Sequence, residues 1–318
     1  MIEENGLRKK IIIDTDPGQD DAVAILLALA SPELDVLGVT CVAGNVELDL
    51  TTINACKICE LAGKPDTLVF SGASKPFSRT LVTAEHVHGK TGLDGVELPN
   101  PQMEIAKTHA VDFIIDSVMD ANDHEISLCA LGPLTNLALA ITKEPKIVSK
   151  INQVVLMGGG FFEGGNITPA AEFNIFVDPE AASIVLSSGI KIVMMPLDVT
   201  HKVLATRSFI QKVSAGGSRT GTAVAGLLNF FGRYDSDKYG SDGAPLHDPN
   251  VIAYLLRPDF YDGRKINVEV ELGSELTLGM TVADWWQITE KRKNVHFMKE
   301  VQAQKVLELI VSRLSTLP

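Results

Sequence analysis

Apolar and polar positions alternate between two periods along most of this chain. Ile11–Ile13 is a short β-branched run, and Asp20–Ala30 then carries apolar positions at helical spacing. Val36–Val42 reads as the next strand, about Leu48–Ala62 as a helix, and Thr67–Phe70 as another short strand. Further on, Val111–Met119 is helical, Ile126–Ala130 extended and Leu134–Ile141 helical. Val154–Met157 follows as a strand, Pro179–Ser188 as a helix and Ile190–Met195 as a strand. Strands that alternate with helices in this way predict an α/β fold, an open and mainly parallel sheet with helices on both faces. Near the end, two β-rich runs within Ile266–Val282 predict an antiparallel edge or hairpin, and Glu300–Leu314 an amphipathic helix. Ser71–Thr108 and Ser214–Pro249 are long and less regular, and segments of that kind in a compact fold are expected to be lids or binding loops.

No linker, repeat or low-complexity block interrupts the pattern, which predicts a single domain over residues 1–318. A hydrophobic fraction of 45% with 21% charged residues is that of a globular chain with a sizeable core. The formal charge of -12, with no basic cluster beyond Lys291–Lys293, argues against a nucleic acid polymer as partner. It suits a site built from carboxylates. The first residues carry no apolar signal region and no stretch of 18 apolar residues occurs, so no membrane segment is expected. Cys56 and Cys59 form a CxxC without a second pair or nearby histidines, and with Cys41 and Cys129 they read as reduced core thiols. The expected compartment is the cytoplasm.

The most informative stretch is Ile11-Ile12-Ile13-Asp14-Thr15-Asp16-Pro17-Gly18-Gln19-Asp20-Asp21, four acids within eight positions between a strand and a helix. Ligands of open α/β sheets bind at the carboxyl ends of the strands. Pro17-Gly18 forces a turn, so acids on either side of it converge. A helix N-terminus accounts for one or two of them. Four clustered carboxylates repel one another and call for a bound cation or raised pKa values. Oxygen-only ligands select a hard metal, calcium or magnesium, and calcium tolerates the irregular geometry of a site assembled from several loops.

Further polar motifs sit at predicted strand ends. They are Ala43-Gly44-Asn45, the stretch His86–Gly95, Leu131–Asn136, Met157–Gly160, Gly164-Gly165-Asn166, Ala171–Asn174 and His247-Asp248-Pro249. Together with DTDPGxDD they resemble the inosine–uridine nucleoside hydrolase family from Ile11 to about Asp248. The resemblance implies a nucleoside hydrolase-like sheet fold, a homodimer or homotetramer, and one Ca2+ at the base of the pocket. It implies metal ligation by Asp16, Asp21, Asp248 and the carbonyl of Leu131, with Asp16 also the general base for a calcium-bound water. Asp14 and Asp20 match positions that support the metal and contact ribose, and Asn45, Asn166, Glu172 and Asn174 match ribose-holding residues. Met157 matches a position beneath the sugar, while His88 and His247 match histidines near the base.

The implied reaction is hydrolysis of the N-glycosidic bond of a small ribonucleoside to ribose and free base, within nucleoside catabolism or pyrimidine salvage. Departure of the base leaves positive charge on the ribose, which a pocket of aspartates and Glu172 stabilises. His247 is placed to protonate the leaving base, and Tyr234, Tyr239 and Phe230 to stack on it. The tryptophans, Trp285 and Trp286, lie beyond the motifs, unlike the stacking residues of the purine-specific branch. The His88 and His247 pair therefore points to the pyrimidine-preferring or broad-specificity branch, with uridine and cytidine ahead of inosine. Two alternatives stand beside this reading. One is a haloacid-dehalogenase-type phosphatase, suggested by Asp14-Thr15-Asp16, and the other a non-catalytic nucleoside-binding protein.

Overall fold

Alternation of side chains along the first strand sets the architecture. In the computed structural model, which describes residues 8–240 and 242–318 apart from the side chains of Asp235 and Tyr239, β1 spans Lys9–Thr15. Ile11 and Ile13 face one apolar cluster and Ile12 the other, and none of the three is exposed. The first cluster holds the helices Gln19–Leu29, Leu48–Leu61, Pro249–Leu256 and Ala303–Leu314. The second holds Ala110–Asp120, Thr135–Lys143 and Pro179–Ser187. A strand buried on both faces reads as a continuous apolar run, which is what Ile11-Ile12-Ile13 is.

The other strands are β2 Leu34–Cys41, β3 Val69–Ser71, β4 Ile126–Ala130, β5 Gln153–Met157, β6 Ile192–Met195, β7 Leu204–Thr206, β8 Gly243–Pro245, β9 Tyr261–Ile266, β10 Val268–Val270, β11 Thr281–Ala283 and β12 Val295–Val301. Eight of them form the main sheet in the order β3-β2-β1-β4-β5-β6-β12-β9. Every neighbouring pair is parallel except β12 with β9, so the expected mainly parallel sheet with helices on both faces is what the chain forms. From β1 the chain steps outward through β2 to β3, then returns across β1 to β4 and continues the other way. The loops leaving β1 and β4 therefore diverge and open a crevice at their carboxyl ends.

Two expectations change. Ser214–Pro249 is not a loop, for it contains the 21-residue helix Arg219–Tyr239. Its buried Thr220, Val224, Leu227, Leu228 and Phe231 recur at three and four residues. Gly221, Gly226, Gly232 and the polar stretch from Arg233 obscure that period. Gly226 serves close packing, because a side chain there would meet the carbonyl oxygen of Gly95 at 2.6 Å. The two β-rich runs do pair as an antiparallel hairpin, β10 with β11, but it is separate from the main sheet. The antiparallel edge is β9, on β12, and β12 takes Glu300 and Val301 from the expected final helix, which begins at Ala303.

Candidate active site

The crevice at the β1/β4 switch is a cleft with Asp16, Asp20, Leu131 and Asp248 among its lining residues. Asp16 follows β1 directly and is 1% exposed. Its Oδ2 accepts from the backbone N–H of Asn45 at 2.7 Å, and the Asn45 side-chain amide donates to the Asp16 carbonyl at 3.0 Å. The carboxylate is wedged between two loops: a Cβ on Gly44 would lie 2.1 Å from Oδ2, and one on Gly132 2.3 Å from Oδ1. Only glycine lets both backbones approach so closely. The turn at Pro17-Gly18 then starts the helix that carries Asp20 and Asp21 in its first turn. Asp21 accepts from the Thr15 hydroxyl at 2.5 Å and the Gly18 N–H at 2.8 Å, so the turn is tied to the strand before it. Asp20 accepts from the backbone N–H of His247 at 3.3 Å, which brings the distant His247-Asp248 segment to the same point.

Asp20, Asp21 and Asp248 each offer a carboxylate oxygen, all within 4.8 Å of one another. Burial raises the pKa of Asp20 to about 7, with repulsion from Asp21 adding to it. Burial also pushes up Asp21, and it pushes Asp16 and Asp248 well up, the last two with repulsion from the neighbouring aspartates. No lysine or arginine lines the cleft, and none forms an ion pair with these four acids among the described residues. Four buried carboxylates without a cationic side chain, offering oxygen donors only, fit a hard divalent cation. The Leu131 carbonyl, just past β4, faces the same floor and accepts from the Asn174 side-chain amide at 2.7 Å.

The wall opposite is polar. Glu172 caps the helix Phe173–Val177, its carboxylate accepting from the N–H groups of Gly159, Asn174 and Ile175 at 2.9, 3.0 and 3.3 Å. Burial nonetheless raises its pKa to about 7. Asn166 accepts from the Phe173 N–H at 2.9 Å, and Met157 closes the end of β5. Asn45, Met157, Asn166, Glu172 and Asn174 all line the cleft. Asp14 does not: it sits behind the floor, where its Oδ1 accepts from Thr40 at 2.6 Å and Asn136 at 2.8 Å. Its Oδ2 is the one buried side-chain oxygen without a partner among the described residues, and burial raises its pKa to about 6.

Aromatic rings form the mouth. His88 stacks on Phe231 with centroids 5.3 Å apart, and its Nδ1 lies 2.6 Å from the Gln19 side-chain oxygen. Burial lowers its pKa to about 3, so the ring is neutral. Tyr234 meets His86 edge-on at 5.6 Å, and His247 lies 5.7 Å from His201. Burial, with His201 and His88 adding to it, drives the pKa of His247 well down. Phe230 turns away beneath the Arg233 guanidinium, and neither tryptophan lines the cleft. The Tyr239 side chain lies outside the described residues.

Sequence reasoning missed His86, His201 and Phe231 among the lining residues. His86 stands two residues before His88, so the motif carried a signal, whereas His201 follows the short helix Leu197–Thr200 and had no such marker. Phe231 was hidden by the unrecognised helix. Elsewhere the four cysteines are buried and free, and no described helix is long and apolar enough to cross a membrane.

Residues 11–308 match the model of the inosine-uridine preferring nucleoside hydrolases. An uncharacterized protein of Schizosaccharomyces pombe is 52% identical over 97% of this chain and 100% of its own length. The pyrimidine-specific ribonucleoside hydrolase RihA of a Shewanella species is 46% identical over 97% of each chain. Among solved structures, the purine-preferring ribonucleoside hydrolase from Gardnerella vaginalis superposes with a TM-score of 0.91 at 32% identity, covering 97% of this chain and 98% of its own. The chain belongs to the inosine-uridine preferring nucleoside hydrolase family, which sets the phosphatase alternative aside.

Proposed function

We propose that this nucleoside hydrolase cleaves the N-glycosidic bond of pyrimidine ribonucleosides, uridine and cytidine ahead of inosine, with calcium as its metal. One observation carries the reading: buried Asp16, Asp20 and Asp248 line a single cleft with Asn45, Glu172 and Asn174, with Asp21 grouped beside Asp20 and Asp248 and no lysine or arginine paired to these acids among the described residues. Support for the pyrimidine preference comes from the similarity to RihA and from a mouth without tryptophan.

The family resemblance assigns the ion to Asp16, Asp21, Asp248 and the Leu131 carbonyl. The carboxylates grouped within 4.8 Å of one another are Asp20, Asp21 and Asp248, so Asp20 would join Asp21 and Asp248 in holding it, with Asp16 and Leu131 lining the same cleft. Bound there, calcium would supply Lewis-acid polarisation of the ribose hydroxyls and of the attacking water. Asn45 orients the Asp16 carboxylate through Oδ2, and Asp16 would serve as the base that takes the proton from water. Asn45, Asn166 and Asn174 offer the donors and acceptors that ribose hydroxyls need. As the glycosidic bond stretches, positive charge grows on the sugar, and the buried carboxylates of Glu172 and the aspartates stabilise it. His247 meets the departing base, while His88, Phe231 and Tyr234 form the surface against which its ring packs. Asp14 acts from behind, through Thr40 and Asn136, by fixing the β1 terminus. We also read the chain as one catalytic domain acting in the cytoplasm as a homodimer or homotetramer, which light scattering checks.

The test is ribose release from uridine, cytidine and inosine beside phosphate release from a generic phosphomonoester, in calcium-replete buffer. Ribose from the pyrimidine nucleosides and no phosphate is the expected result. Inert nucleosides would overturn the reading, and purine turnover above pyrimidine would overturn the base preference.

A further inference from the structure

His247 is anchored from behind by a residue that no family motif above includes. The four-residue helix Leu197–Thr200 follows β6 and ends beneath the cleft. Thr200 is fully buried, and its hydroxyl lies 2.8 Å from His247 Nδ1. Among the described residues that hydroxyl has no other side-chain or carbonyl partner. A buried hydroxyl hydrogen needs an acceptor, and the one in reach is Nδ1. An Nδ1 that accepts leaves the ring hydrogen on Nε2, at the far side of an imidazole that lines the cleft.

The support is rigid on both sides. Asp198, two residues before Thr200, accepts from the N–H groups of Phe161, Phe162 and Glu163 at 2.9, 2.6 and 3.2 Å. The short helix is thereby locked to the loop that carries Asn166. On the other side, β7 pairs with β8, and Leu246 donates to Val203 at 2.8 Å, so the residue preceding His247 is held to the same segment.

We infer that Thr200 is a positioning residue: its hydroxyl fixes His247 in the Nε2–H form, so that the ring donates a hydrogen bond to the nucleobase as it departs with the glycosidic electron pair. No proton needs to leave the imidazole. Nε2–H stabilises the negative charge on the base, and water protonates the base after release. The inference rests on the proposed role of His247 at the leaving group.

The experiment compares wild type, Thr200→Val, Thr200→Ser and His247→Ala on uridine and on 4-nitrophenyl β-D-riboside, whose phenolate leaves without help. Thr200→Val should lose about tenfold or more in kcat on uridine, with KM within about twofold, because one orienting hydrogen bond is gone. On the nitrophenyl riboside it should stay within about twofold of wild type, which also shows that it folds and keeps its ribose site. Thr200→Ser, which keeps the hydroxyl, should recover uridine turnover to within about threefold. Equal losses on both substrates, wild-type uridine turnover in Thr200→Val, or no recovery in Thr200→Ser would each overturn the role of Thr200. If His247→Ala leaves uridine turnover intact, the reading of His247 fails instead, whatever Thr200 does.

Discussion

The floor and the mouth of the cleft are built on different principles. The floor consists of Asp16, Asp20, Asp21 and Asp248, all at most 4% exposed and all oxygen donors. The mouth consists of rings, His86, His88, His201, Phe231, Tyr234 and His247, carried by Glu85–His88, Arg219–Tyr239 and segments after β6 and β8. The floor hangs from the middle of an eight-stranded sheet, where displacement of one strand disturbs both neighbours. The mouth rests on helices and connecting segments outside that sheet. Under the proposed function, reaction type would be set at the floor and choice of base at the mouth. The purine-preferring enzyme from Gardnerella vaginalis superposes at a TM-score of 0.91, so the fold is shared beyond any one base preference.

Substitutions on the two sides should separate chemistry from recognition. The largest effect is expected at the floor. Asp16→Asn removes the proposed base and one metal ligand, and should cut uridine kcat by about three orders of magnitude or more. In chelated protein the same change should raise Tm, because it relieves a buried and repelling carboxylate. A variant with near-normal turnover would contradict the role given to Asp16.

His247 stands between floor and mouth. His247→Ala should cost about a hundredfold in kcat on uridine and far less on a nitrophenyl riboside. A uniform loss on both would place the residue with the floor. A smaller effect is expected from the rings: Phe231→Ala should raise KM for uridine about tenfold with kcat within about threefold, since a stacking contact is worth about 1 kcal/mol beyond its buried area. A collapse of kcat at unchanged KM would show that Phe231 serves the chemistry.

The smallest effect concerns stability. Burial holds the folded pKa of Glu172 at about 7, above its ordinary 4.5. Its contribution to stability is therefore complete below about pH 4.5 and is lost as pH rises through about 7. In chelated protein, the Tm of wild type minus that of Glu172→Gln should fall by a few degrees across that window. A flat difference would mean that Glu172 keeps an ordinary carboxylate pKa in the fold.

Legibility in the sequence followed the same division. Ile126–Ala130 coincides with β4, and the strand–acid–turn–acid order of residues 11–21 placed the floor because strand, turn and helix are contiguous there. Contact between Asp248 and Asp20, 228 positions apart, came from resemblance, since no local pattern encodes it. Asp14 was expected in support of Asp16, and the structure holds it inside β1, bonded to Thr40 and Asn136 behind the floor, whereas Asp16 lies past the strand end. The helix Arg219–Tyr239 escaped because it carries three glycines, which helix propensity counts as breakers, although Gly226 serves packing against Gly95. Its loss hid Phe231. Thr200 carried no chemical signal of its own, and its significance lies in a contact with a ring 47 positions away.

The most direct measurement is the initial rate of ribose release from uridine as calcium is titrated into protein stripped by a chelator. The aspartate floor predicts a rate near zero without metal, rising to a plateau at about one calcium per chain. Full activity in the presence of excess chelator, or no ribose at any calcium concentration, would contradict it.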